Sequence, residues 1–179
     1  MVFPGAFDVF AMIDHYLSVI ADAGVALPST FHGDLVQAEA VRKALGCRPQ
    51  RLVACHCDPV CENFLDTGDR MWLVDWEYSG MSDPMWDLAD LSVEAEFDTA
   101  DEDQFLQAYF GREPTADERG RVTLFKAMTD LLWTLWGLLQ VANNNPTGDY
   151  ESYARNRLDR CEQRMLQPAF GEALRAVCG

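Results

Sequence analysis

The sequence predicts a mainly α fold with short β-hairpins, of the α+β class, and three observations carry that reading. Apolar residues recur at helical spacing through most of the chain, as in Phe10, Ile13, Leu17 and Ile20. Helix-start signals stand before such segments, notably Asp83-Pro84 and the capping box Thr115-Ala116-Asp117-Glu118. Strand character is confined to Leu52–Val74, where Thr67-Gly68-Asp69 reads as a turn between two short apolar runs.

Taken in order, Phe7 to Ala23 is expected as a helix ending near Gly24. Ala26 to His32 is a proline-containing connector. Asp34 to Leu45 follows as a second helix, with Asp34 as its N-cap and Gly46 as the residue that stops it. Leu52-Val53-Ala54 is a short buried strand, and Asn63–Leu65 and Met71–Val74 form the hairpin. Asp83 caps and Pro84 opens a helix through about Val93, and Asp101–Phe110 is another, closed by Gly111. The capping box at Thr115 starts a long helix to about Ala142, which Asn143–Gly148 breaks. Tyr150 to about Gln167 and Pro168 to Cys178 supply the last two helices. No repeat, low-complexity tract or linker divides residues 1–179, so the chain reads as a single domain with a full hydrophobic core.

A hydrophobic fraction of 49% argues against disorder. The net charge of −15, with Lys43 and Lys126 the only lysines, disfavours nucleic acid and mildly favours a small cationic substrate. The apolar run Leu131–Ala142 is short for a membrane span and contains Gln140, and the N-terminus lacks a signal-peptide pattern. A cytoplasmic location is the expectation, and with it six cysteines that read as reduced thiols. Cys55-His56-Cys57 with Cys61 offers zinc-ligand types, yet Cys47, Cys161 and Cys178 stand alone and supply no second ligand pair.

The chemistry concentrates in His56-Cys57-Asp58-Pro59-Val60-Cys61-Glu62-Asn63, followed by Trp72-Leu73-Val74-Asp75-Trp76-Glu77. The hairpin brings Asp58, Asn63 and Asp75 together. Phosphoryl transfer from a nucleotide uses such a set: one carboxylate accepts the proton of the attacking hydroxyl, while an amide and a second carboxylate hold Mg²⁺. Phe31-His32-Gly33-Asp34-Leu35 looks similar at first. Five residues beyond Asp34, however, stands Glu39 rather than Asn, and no hairpin follows.

These segments resemble the H-x-D-x-x-x-x-N and D-x-E motifs of the choline/ethanolamine kinase family, a branch of the aminoglycoside-phosphotransferase-like kinases. The resemblance runs on through Tyr78-Ser79-Gly80, Asp83-Pro84 and Asp87-Leu88-Ala89. It departs at Cys57, where the family leads one to expect Asn, and Cys57 is expected to point between the catalytic groups. What the resemblance implies is the C-terminal lobe of a protein-kinase-like fold, with ATP as co-substrate and Mg²⁺ as cofactor. Asp58 would be the base, supported by His56, with Asn63 and Asp75 on the metal and Glu77 beside them. Asp87 would hydrogen-bond the backbone of the catalytic loop.

Trp133 and Trp136 lie three apart on the long helix, with Tyr153 seventeen residues after Trp136. Aromatic faces and acids are what recognises a quaternary ammonium, although a tryptophan pair flanked by leucines is also ordinary core material. The arrangement resembles the choline-binding part of the same family, which implies Tyr78 as a further aromatic wall and Glu94 as the acid facing the ammonium, with Glu96 and Asp98 as alternatives. The substrate implied is choline or a similar amino alcohol, with aminoglycosides or thiamine as other small alcohols. The nucleotide-binding N-terminal lobe expected of such kinases has no counterpart here: the chain opens Met1-Val2-Phe3-Pro4-Gly5-Ala6-Phe7 and goes directly into helix. Completion by a partner chain or homodimer, a longer coding sequence, or a non-catalytic cation-binding or assembly module all remain open readings.

Overall fold

The computed structural model describes residues 3–179; Met1 and Val2 of the opening run lie outside them. Among the described residues the elements are α1 (Val9–Asp22), α2 (Phe31–Cys47), β1 (Val53–Cys55), β2 (Phe64–Asp66), β3 (Met71–Leu73), β4 (Gly80–Ser82), α3 (Pro84–Glu94), α4 (Thr99–Phe110), α5 (Ala116–Ala142), α6 (Tyr150–Leu166) and α7 (Pro168–Cys178), with a 3₁₀ turn at Cys61–Asn63.

α5 is the axis. Its capping box closes in both directions at Thr115 and Glu118, and Leu124, Met128, Leu131, Leu132 and Leu135 are wholly buried. Each such side chain contributes roughly 1.5–3 kcal/mol by leaving water. α1, α3, α6 and α7 pack around it. By length and composition alone α5 could cross a membrane, yet 72% of its most apolar window is buried inside the fold. Neighbouring helices already supply its apolar surroundings. The buried Arg121 near its start donates to Asp83 Oδ2 at 2.8 Å and Asp117 Oδ2 at 3.2 Å. That ties the first turns of α5 to the N-cap of α3, where Asp83 also accepts from the Met85 N–H.

β2 and β3 form the expected antiparallel hairpin, paired Phe64 with Leu73 and Asp66 with Met71. β1 finds a partner the sequence did not reveal, β4, with Val53 opposite Ser82 and Cys55 opposite Gly80. Gly80 is required by close approach, since a Cβ there would lie 2.8 Å from the Phe7 nitrogen.

Several boundaries differ from expectation. α2 begins at Phe31 because that ring is 1% exposed and the core draws it in. Asp34 is therefore a buried first-turn residue, favoured by the helix dipole, and not the N-cap. Gly46 lies inside α2, which runs on to Cys47. Asp98, accepting from the N–H groups of Ala100 and Asp101, starts α4 earlier than Asp101. Asn63 belongs to the 3₁₀ turn, one residue before the strand. The cysteines are not all thiols: Cys47 is disulfide-bonded to Cys178, joining the ends of α2 and α7.

Candidate active site

The loop after β1 is held by the first turn of α3. Asp87 accepts hydrogen bonds from the His56 N–H at 2.7 Å and the Cys57 N–H at 2.8 Å, and Trp86 Nε1 donates to the Cys57 carbonyl at 3.1 Å. These bonds hold Cys57 at φ 71°, in the left-handed region that Asn and Gly enter most easily. The Asn expected there has this conformational reason. The Cys57 side chain does not point between catalytic groups; it is wholly buried in the core, and burial pushes its thiol up. His56 Nε2 donates to the Val74 carbonyl at 2.8 Å, and its ring meets Trp76 edge-on with centroids 4.7 Å apart. Its Nδ1 is buried and without a hydrogen-bond partner. His56 thus braces the segment leading to Asp75.

Asn63 links the loop that carries Asp58 to the segment that carries Asp75. The Asn63 amide donates to the Asp58 carbonyl at 3.1 Å, so its Oδ1 is free to accept. The Val74 N–H donates to the Asn63 carbonyl at 3.0 Å, closing the hairpin base. Asp75, at φ 63°, turns out of the strand with its carboxylate exposed. An amide oxygen and a carboxylate are hard donors of the kind Mg²⁺ takes when phosphates and waters complete its octahedron. Among the described residues no group of three His, Cys, Asp or Glu side chains converges, so Cys55, His56, Cys57 and Cys61 do not assemble a zinc site. The Asp58 carboxyl is pushed up to about 6, mainly by burial, while nearby His56 pulls it down and Glu94, Asp75 and Glu77 push it further up.

Beside Asp58 opens a cavity of about 450 Å³. Asp58, Glu77, Tyr78, Glu94, Trp133, Trp136 and Tyr153 all line it; His56, Asn63, Asp75 and Asp87 do not. Its aromatic wall is a chain of edge-to-face rings: Tyr78 to Trp133 at 5.5 Å, Trp133 to Trp136 at 6.2 Å, and Trp136 to Tyr153 at 5.8 Å. The sequence reading missed Tyr150, whose ring lies 5.5 Å from that of Trp136. Tyr150 stands three before Tyr153 on α6, so helical spacing was the available signal. Two other groups join it: Asp90, which had no sequence signal, and Arg157, whose signal was the same helical spacing, four residues after Tyr153. Asp90, wholly buried under the wall, accepts from Trp133 Nε1 at 3.3 Å, and burial raises its carboxyl well above the usual range. Arg157 enters the cavity from α6 and pairs with Glu94.

Helices stacked behind a hairpin, with the loop between them clamped by a helix-borne carboxylate, make this the C-terminal lobe of a protein-kinase-like fold. Over residues 21–123 the chain matches the model of the phosphotransferase enzyme family, and it belongs to that family. It is 55% identical to a choline/ethanolamine kinase family protein from Mesorhizobium loti, with a TM-score of 0.94, covering 99% of this chain and 61% of that one. The choline kinase LicA from Streptococcus pneumoniae is 32% identical, with a TM-score of 0.79 over 92% of this chain and 57% of that one. The protein LicA of Haemophilus influenzae is 29% identical over 169 residues, 88% of this chain and 60% of that protein. The chain thus spans about three fifths of the length of these relatives.

Proposed function

We propose that this chain forms the catalytic lobe of an ATP-dependent phosphotransferase acting on the hydroxyl of choline or a similar amino alcohol. One observation carries the reading: a single cavity holds Asp58 together with the rings of Tyr78, Trp133, Trp136, Tyr150 and Tyr153. A methylated ammonium, with no N–H to donate, is held by aromatic faces. The alcohol at the other end of such a substrate then reaches Asp58. Asp58 takes the hydroxyl proton as the alcohol oxygen bonds to the γ-phosphorus of ATP and the bond to the ADP oxygen breaks. Asn63 and Asp75 would hold Mg²⁺, which offsets the phosphate charge. Asp87 and His56 keep the loop in place, and Glu77 adds negative charge at the mouth. The choline kinase described for Streptococcus pneumoniae LicA, a relative of the same fold, supports the substrate class. A wall built from these rings suits a compact methylated amine better than a polycationic aminoglycoside.

A second reading has its own observation. Leu65, Met71 and Trp72 on the hairpin are 48%, 59% and 49% exposed, a surface suited to a nucleotide-binding lobe or a second copy. On that reading the chain binds the cation and assembles without turnover. Phosphocholine formation from choline and Mg·ATP, with Asp58→Asn as control, separates the two. Turnover that drops by about 10²–10⁴-fold in the control supports the enzyme. Full activity in Asp58→Asn overturns Asp58 as base, and choline binding without turnover favours the assembly reading.

A further inference from the structure

We propose that Arg157 makes the pocket select quaternary over primary ammonium alcohols, by occupying the carboxylate that would otherwise accept N–H bonds from the ligand. This rests on the cation pocket proposed above and names which amines it admits. Arg157, on α6, donates to both oxygens of Glu94 on α3, Nη1 to Oε1 at 2.5 Å and Nη2 to Oε2 at 2.9 Å. Its Cζ lies 4.9 Å from the centroid of the Tyr153 ring. Behind it Asp130 Oδ1 stands 3.4 Å away and is also held by Arg160, while Asp130 Oδ2 accepts from Arg164. Arg157 is buried, and both it and Glu94 line the cavity.

The consequence follows from what each ligand must give up. A bidentate guanidinium neutralises the carboxylate and takes the lone pairs best placed to accept. A primary ammonium is compact and strongly hydrated. On entering it trades water for ring faces, which cannot replace its N–H···O bonds, and Asp58 is committed to the hydroxyl. Glu62 and Glu77 are exposed at the mouth, where water competes for the same N–H groups. A trimethylammonium has no N–H to leave unmade, and its methyl groups meet the rings directly. Each unmade bond to a charged donor lowers affinity by about tenfold or more.

The test is calorimetric binding of ethanolamine, its N-methyl and N,N-dimethyl derivatives, and choline to the full chain. Affinity should rise along the series, with choline at least about tenfold tighter than ethanolamine. Arg157→Gln should tighten ethanolamine and collapse that preference, because Glu94 becomes a free carboxylate while Asp130 keeps Arg160 and Arg164. Arg157→Gln combined with Glu94→Gln should restore the preference. Equal affinity for choline and ethanolamine in the unaltered chain overturns this proposal alone and needs no variant to fold. A folded Arg157→Gln that keeps the preference also overturns it. Failure to bind any of the amines overturns both this proposal and the cation pocket beneath it.

Discussion

Asp58 is the residue on which the proposed chemistry turns, and its surroundings set when it can act. Burial is the largest influence on its carboxyl, and the neighbouring acids Glu94, Asp75 and Glu77 add to it, so the proton is held up to about pH 6. Below that value Asp58 is a neutral acid and cannot accept the hydroxyl proton; above it the carboxylate form dominates. The rate should fall about tenfold per pH unit on the acid side of about pH 6 and level off above it. A kcat/KM profile that is flat between about pH 5 and 7 would exclude Asp58 as the base. The spacing of Asp58, Asn63 and Asp75 was legible in the sequence because a hairpin joins them locally. The Glu94–Arg157 pair was not, since its partners lie 63 residues apart on helices whose mutual rotation no pattern specifies. Cys57 is a similar case: its identity was visible, but its left-handed backbone and burial in the core were not.

At the scale of elements, the seam between α5 and α6 sets the shape of the aromatic wall. Trp136 is followed by Gly137, and a Cβ there would lie 2.9 Å from Tyr153 Cδ1 and 3.1 Å from Ala154 Cβ. The glycine lets α6 approach closely enough for Tyr153 to meet Trp136. Gly137→Ala should therefore destabilise the fold by about 1–3 kcal/mol through overpacking, and weaken choline binding as Tyr153 is pushed outward. Gly33→Ala is the control. Gly33 lies in α2 with nothing within 4 Å of the added Cβ, so alanine there should leave binding unchanged and stabilise by about 0.5–1 kcal/mol. Urea unfolding and calorimetry on both variants check the pair; equal effects would refute the close-approach account. Caps and apolar spacing located α3 and α5 well, because Asp83-Pro84 and Thr115–Glu118 are local signals. α2 was misplaced at both ends because burial of Phe31 and the run to Cys47 outweighed the local preferences of Asp34 and Gly46. β4 was invisible because its pairing with β1 depends on a distant partner and on Phe7 lying against Gly80.

For the molecule as a whole, the last helix is fastened to the second by a bond that spacing does not disclose. Cys47 and Cys178 are separated by 131 residues, and cysteine spacing in a sequence does not reveal pairing. Closing so long a loop restricts the unfolded chain far more than the folded one, where α2 and α7 already pack together. Such a bond typically stabilises by about 2–4 kcal/mol. Neither cysteine lines the cavity, so stability and recognition should separate. Reductant should lower the urea midpoint of the native chain, while the Cys47→Ser/Cys178→Ser variant should start at the lower midpoint and not respond to reductant. Choline affinity should be the same in all three folded forms. In a reducing cytoplasm the pair would open, and the fold would then rest on the α5-centred core alone. A midpoint that reductant does not move would refute the bond. A loss of choline binding on reduction would show instead that the α2–α7 end is coupled to the pocket through α5, the helix that reaches both.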